Sequence, residues 1–356
     1  MSPGTRALLN KVPEVTLWFW IIKILCTTVG ESFADWVSVD LGVGLVNTAL
    51  IFTVVLASVL IWQMRLTRYF AVPYWLTVVV LSVTGTLYTD ILTDKYGVPL
   101  ALTTSICAAL LAIVFGIWYA RERTLSIHSI VTPPREAFYW LAVLVTFALG
   151  TAAGDWTLEL TGWTPGVSVL LPAFLIVSVI IGWRLGANPV LSFWLAYILT
   201  RPLGANMGDW MALSKGEGGL GLGTALTSVI FLSAIAATVI YLVIKRPDVI
   251  ENINTRETET DPLRRRTREH AMLWYYGLVG LVAISVLVIA NARPHAHVSA
   301  EESDSGSAPV AQLTPQQATA NFPAADITQF RTITQDTLGL VTSGGQAGAK
   351  ARITDL

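Results

Sequence analysis

The sequence predicts an all-α protein, a polytopic bundle of membrane-spanning helices. Three observations carry that prediction. The 356 residues are 53% hydrophobic and only 13% charged, and the mean hydropathy of +0.60 is far above that of a soluble domain. Apolar runs of about 20 residues, the length that crosses a bilayer, recur along most of the chain. An aromatic-Trp pair followed by a glycine and then an aspartate returns four times without a slip in spacing. The net charge of −1 gives no global field for nucleic acid, and Cys26 and Cys107 both fall inside apolar runs, where a thiol acts as a small core residue.

In chain order, a cytoplasmic N-terminus at 1–14 lacks the shape of a cleavable signal, so the first helix is expected to be its own insertion signal. Nine spans follow, at 15–36, 43–63, 71–91, 98–119, 136–157, 166–183, 188–210, 222–243 and 272–290. The first eight pair into units 15–63, 71–119, 136–183 and 188–243. Placing the N-terminus inside leaves fifteen Lys and Arg cytoplasmic and only Lys95 and Lys215 in the outer connections, the bias that orients inner-membrane proteins. The basic linker 244–271 then lies against anionic headgroups, the last span crosses outward, and the Ser-, Ala-, Gln- and Gly-rich tail 291–356 is expected to be disordered and outside.

The four copies read FWIIKILCTTVGESFADW, YWLTVVVLSVTGTLYTDI, YWLAVLVTFALGTAAGDW and FWLAYILTRPLGANMGDW. They align Trp20, Trp75, Trp140 and Trp194, then Gly30, Gly85, Gly150 and Gly204, then Asp35, Asp90, Asp155 and Asp209. An even number of spans per unit makes the copies parallel, so helices 1, 3, 5 and 7 all run outward around an axis along the membrane normal. This Aro-Trp-x9-Gly-x4-Asp pattern resembles a family of bacterial integral membrane proteins built from four tandem two-helix repeats of unknown function. The resemblance covers roughly 13–245, and copy two departs from it with Ile91 where the others carry Trp. It implies a fold and lends no mechanism.

The tryptophans near span ends read as an interfacial aromatic belt, and the glycines as sites of close helix approach. The aspartates sit near the outward ends of their helices, where the helix dipole disfavours a carboxylate by about 0.3–1 kcal/mol. Two readings stand: each tethers its own hairpin or caps a neighbouring helix, or the four ring an outer vestibule that attracts cations or exchanges protons. Lys23, Thr27, Glu31 and Asp35 fall four apart and form one polar stripe rising about 18 Å along helix 1. Helix 7 answers with Tyr197, Arg201, Asn206 and Asp209, and helices 3 and 5 with Ser82, Thr86 and Asp90 and with Phe147, Thr151 and Asp155.

The sequence therefore points to transport of a small ion or solute along a polar axis, with Lys23, Thr27, Glu31, Asp35, Asp90, Asp155, Arg201, Asn206 and Asp209 lining the path. A divalent metal ion is the economical cargo, held by Glu31, Asp35, Asp90, Asp155 or Asp209. An organic anion bound by Lys23 and Arg201 with protons on the acids is the alternative, and a non-transporting scaffold or sensor the third reading. No Walker motif or catalytic Ser/His/Asp set is visible, and none of the four histidines, His128, His270, His295 and His297, falls in a predicted span, so the chain is expected not to be an enzyme and to need no cofactor. The lipid bilayer is its expected partner.

Overall fold

A computed structural model describes residues 10–248 and 262–292, the first six of the second segment by backbone alone. Residues 1–9, residues 249–261 of the basic linker, His295, His297 and nearly all of the tail lie outside the described residues. The described chain is all helical, without a strand.

Among the described residues nine long helices follow one another: α1 Leu17–Asp35, α2 Leu45–Arg65, α3 Ala71–Asp90, α4 Leu100–Glu122, α5 Pro133–Thr161, α6 Leu170–Arg184, α7 Pro189–Ala212, α8 Thr224–Lys245 and α9 Pro262–Asn291. Many of their Thr and Ser hydroxyls bond carbonyls three or four residues back, as Thr27 does to Ile24 at 2.6 Å and Thr77 to Pro73 at 2.7 Å, which gives those polar side chains a partner at lipid depth. Gly44 and Gly223 precede α2 and α8 at φ 81° and 76°, a conformation that a side chain would strain.

Among the described residues eight helices are long and apolar enough to cross a bilayer, so by length and composition the chain is a multi-pass membrane protein. The eight do not include α7, whose Arg201, Pro202, Asn206 and Asp209 lower its hydropathy. A helix enclosed by protein needs no apolar coat, and α7 packs against α1, α5, α6 and α8.

The packing is layered. Helices α1, α3, α5 and α7 touch in the closed order α1–α3–α5–α7–α1. Each even helix lies outside and packs chiefly on the odd helix that follows it: α2 on α3, α4 on α5, α6 on α7, and α8 back on α1. The units read from sequence are thus joined in chain but not packed as closed pairs. Burial follows the layers, with more than half of the apolar window buried in α1, α3 and α5, 28% or less in α2, α4, α6 and α8, and 6% in α9. The last helix rests on α6 and α5, and hydroxyls of Tyr275 and Tyr276 donate to the carbonyls of Ser178 and Val179, each at 3.1 Å. It begins earlier than the predicted 272, so His270 falls inside it.

Three helix ends differ from expectation. Asp35 and Asp90 are not the end of the helical path, because π-helical turns Trp36–Asp40 and Ile91–Lys95 continue it, and α5 runs six residues past Asp155. The residues that precede α2, α4 and α8 are Gly44, Pro99 and Gly223, which offer these helices no side-chain cap of their own.

Candidate functional site

One glycine contact recurs four times around the inner helices. A Cβ on Gly30 would overlap Ser82 of α3, one on Gly85 would overlap Phe147 of α5, one on Gly150 would overlap Arg201 of α7, and one on Gly204 would overlap Thr27 of α1. Each partner lies three residues before the glycine of its own helix. Absence of a side chain is what lets each backbone reach its neighbour.

The aromatic-Trp pairs form a second ring with the same handing-on. Phe19 meets Trp75 with ring centroids 5.6 Å apart, Tyr74 meets Trp140 at 5.3 Å, Tyr139 meets Trp194 at 6.3 Å and Phe193 meets Trp20 at 5.7 Å. Trp75, Trp140 and Trp194 are buried, unlike Trp62 and Trp183. The belt reading therefore fits the two exposed residues, while these three close the end of the bundle where α1, α3, α5 and α7 begin.

Just beyond that ring, Glu136 is 1% exposed and binds Lys11 Nζ at 2.7 Å. Lys11 also donates to the Met64 carbonyl at 3.0 Å, and Gln63 and Trp140 donate to the other carboxylate oxygen at 3.4 Å. The sequence reading missed this pair, because Lys11 precedes the repeats and Glu136 has no counterpart in the other copies.

At the same end, Tyr69 donates to Asp248 at 2.5 Å. Burial, and next the neighbouring carboxylate, push the Tyr69 phenol up, so it stays a donor; burial also raises Asp248, against the opposing effect of the Tyr69 bond. A carboxyl raised in the folded state binds its proton more tightly there than in the unfolded chain. Its contribution to stability is thus full below the ordinary Asp range and is lost as pH rises through the raised value. Asp248→Asn is expected to flatten that part of the stability–pH curve, measured by thermal unfolding in detergent.

Between the two ends runs the polar axis. Arg201 is wholly buried, and its guanidinium reaches all three other inner helices. Nη1 donates to the Thr27 carbonyl at 3.1 Å, and Nη2 to Glu31 at 2.6 Å, to Thr151 at 2.7 Å and to Thr86. Glu31, Thr86 and Thr151 each follow the repeat glycine of their helix, and Ala205 holds that position on α7. The Thr27 hydroxyl closes the α1–α7 seam on the Thr200 carbonyl at 3.1 Å.

One turn inward, Lys23 points its Nζ at the Phe147 ring, 3.8 Å from its centroid, and at the Tyr197 ring at 4.3 Å. A desolvated cation over an aromatic face gains about 2 kcal/mol. The Tyr74 and Tyr139 hydroxyls bond each other at 2.5 Å still further in.

Toward the C-terminal ends of α1 and α7, Glu31, Asp35 and Asp209 present carboxylate oxygens within 4.8 Å of one another, a donor set that can hold a hard cation. Asp90 and Asp155 are not in that group, although Asp155 lies within electrostatic range of Glu31, Asp209 and Arg201. Asn206 is buried and faces Gly154 of α5. An open cleft of about 400 Å³ lined by Gly44, Asn47, Asp94 and Lys95 lies to one side of this axis, between the start of α2 and the end of α3.

A family model described as Repeat of Unknown Function (DUF347) matches three segments of the chain, 18–69, 73–124 and 192–247. These contain the first, second and fourth aligned copies. No curated protein and no solved structure matches the chain.

Proposed function

We propose that this protein is a transporter, not an enzyme, and that it moves a small cation along the axis between α1, α3, α5 and α7. In this reading 136–183 is a diverged copy beside the three matched segments, and the four units are parallel copies about an axis along the membrane normal. The glycine and aromatic contacts, each repeated four times and closing on itself, support that arrangement. The basic residues favour a bacterial inner membrane with the N-terminus inside.

The observation that carries the functional reading is Arg201, whose one guanidinium joins Glu31, Thr86, Thr151 and the Thr27 carbonyl. A scaffold would bury each charge within its own pair; here one charge ties four helices at one level. Glu31 serves both this hub and the acidic group with Asp35 and Asp209. A cation arriving there competes with Arg201 for Glu31, which loosens the contact that holds the helices closed. Asp90 and Asp155 gather cations near this mouth, and Lys23, Thr27 and Asn206 line the way inward.

The test is flux into proteoliposomes holding the full chain, with Mn²⁺, Zn²⁺ and small organic acids offered under ion and pH gradients. Saturable uptake of a cation is expected. Asp35→Asn and Asp209→Asn are each expected to lower it by roughly tenfold or more, since loss of even an outer-sphere partner weakens metal sites by that much. Uptake of organic acids alone would favour the anion reading, and no flux under any gradient would remove the transport reading.

A further inference from the structure

Lys23 is the charge that the acidic group does not serve. Its side chain is 1% exposed, and Nζ makes no hydrogen bond and no ion pair with any described residue. The titratable groups around it are Cys26 on its own helix, Arg201 and Tyr197 on α7, and Tyr139 and Tyr74 deeper on α5 and α3. The acid of α3, Asp90, stands three turns toward the outer end, and α8 carries no acid at all. The groups closest to the ammonium are therefore two ring faces, Phe147 of α5 and Tyr197 of α7, both buried.

That environment is selective. A divalent metal demands oxygen ligands and keeps its water tightly, so the rings are a poor host for it. An ammonium with an alkyl coat is the cation that aromatic faces hold best. The cage is built from two helices locked in register by Gly150 against Arg201, and it lies on the inward side of the Arg201 hub. A cation that passes the acidic group and the hub meets the cage next, with a tethered ammonium already in it.

We propose that the Phe147–Tyr197 cage is a binding site for a primary or methylated ammonium cation, and that Lys23 is its built-in occupant, displaced when such a cation arrives. This deepens the cation-transport reading and rests on it for the route of entry. It makes a small alkylamine the substrate class, with the acidic group as its collecting point.

Two measurements test it. In the first, the purified full-length protein is unfolded by heat in detergent. Lys23→Ala is expected to melt below the unmodified protein, and n-butylammonium chloride to restore several degrees, whereas n-butanol does not. Adding Phe147→Leu to Lys23→Ala is expected to abolish the restoration. Equal restoration by butanol, or none by butylammonium, overturns the site. If Lys23→Ala does not fold, the same comparison is made on Lys23→Met, where n-butylammonium must raise the melting point and lose that effect with Phe147→Leu. In the second, radiolabelled methylammonium is offered to proteoliposomes of the unmodified protein. Saturable uptake, inhibited by tetramethylammonium, is expected. Uptake of Mn²⁺ or Zn²⁺ without methylammonium overturns the amine proposal and leaves cation transport standing; uptake of nothing removes both.

Discussion

Arg201→Met is expected to destabilise the protein by about 3–5 kcal/mol, the usual cost of leaving one partner of a buried ion pair unpaired. The cost falls on Glu31, because the Thr86 and Thr151 hydroxyls keep their own bonds to the Ser82 and Phe147 carbonyls, at 3.2 and 3.1 Å. With Arg201 gone, the buried Glu31 carboxylate loses its 2.6 Å partner and faces Asp35 and Asp209 uncompensated. Adding Glu31→Gln to Arg201→Met is therefore expected to recover most of the loss, giving a coupling of at least about 2 kcal/mol in the double-mutant cycle. Arg201→Lys should fall between, since an ammonium keeps the charge but lacks the planar fork that reaches four acceptors on three helices. The measurement is reversible unfolding in mixed micelles followed by tryptophan fluorescence. If Arg201→Met costs the same with and without Glu31→Gln, the pair does not hold the centre.

The spacing of the repeats makes part of this centre readable in the sequence itself. Lys23, Thr27, Glu31 and Arg201 are polar residues at lipid depth, and such residues must turn away from lipid, so their meeting follows from composition and helical period alone. The even helices were harder to place. They are strongly apolar with only scattered hydroxyls and amides, and nothing in α2 or α4 states whether its inner side meets the odd helix before it or the one after. That choice is made by shape between helices, as where Thr53 of α2 bonds Tyr88 of α3 at 2.7 Å. Tryptophan misled for a related reason. The same residue suits a membrane interface and a buried ring, and only the neighbour supplied by the next helix separates Trp75 from Trp62. The acids were legible as a set but not as a subset, because Asp90 and Asp155 share the sequence position of Asp35 and Asp209 without joining their cluster.

The second large effect concerns the glycines. Gly204→Val is expected to cost about 3 kcal/mol, the upper part of the range for forcing atoms into a packed seam, although glycine itself is the poorer helix former by about 1 kcal/mol. The clash wins because relief is blocked. A Cβ at 204 would overlap the Thr27 side chain and stand 3.0 Å from the Thr28 backbone nitrogen, so the helices themselves must separate. Separation would also stretch the Thr27–Thr200 and Arg201–Thr27 bonds that cross the same seam. Gly116→Val is the control: nothing lies within 4 Å of a Cβ there, and its effect should stay within about 0.5 kcal/mol. Gly30 offers a sharper comparison, because its backbone neighbour stands at nearly the same distance, 3.1 Å, while the hydroxyl it would overlap, that of Ser82, makes no hydrogen bond among the described residues. Gly30→Ala is therefore expected to be largely rescued by Ser82→Gly. Gly204→Ala with Thr27→Gly should recover less, because it also removes the Thr27 hydroxyl bond to the Thr200 carbonyl. Equal rescue at both seams, or an undamaged Gly204→Val, would mean that the inner helices are not held at backbone distance there.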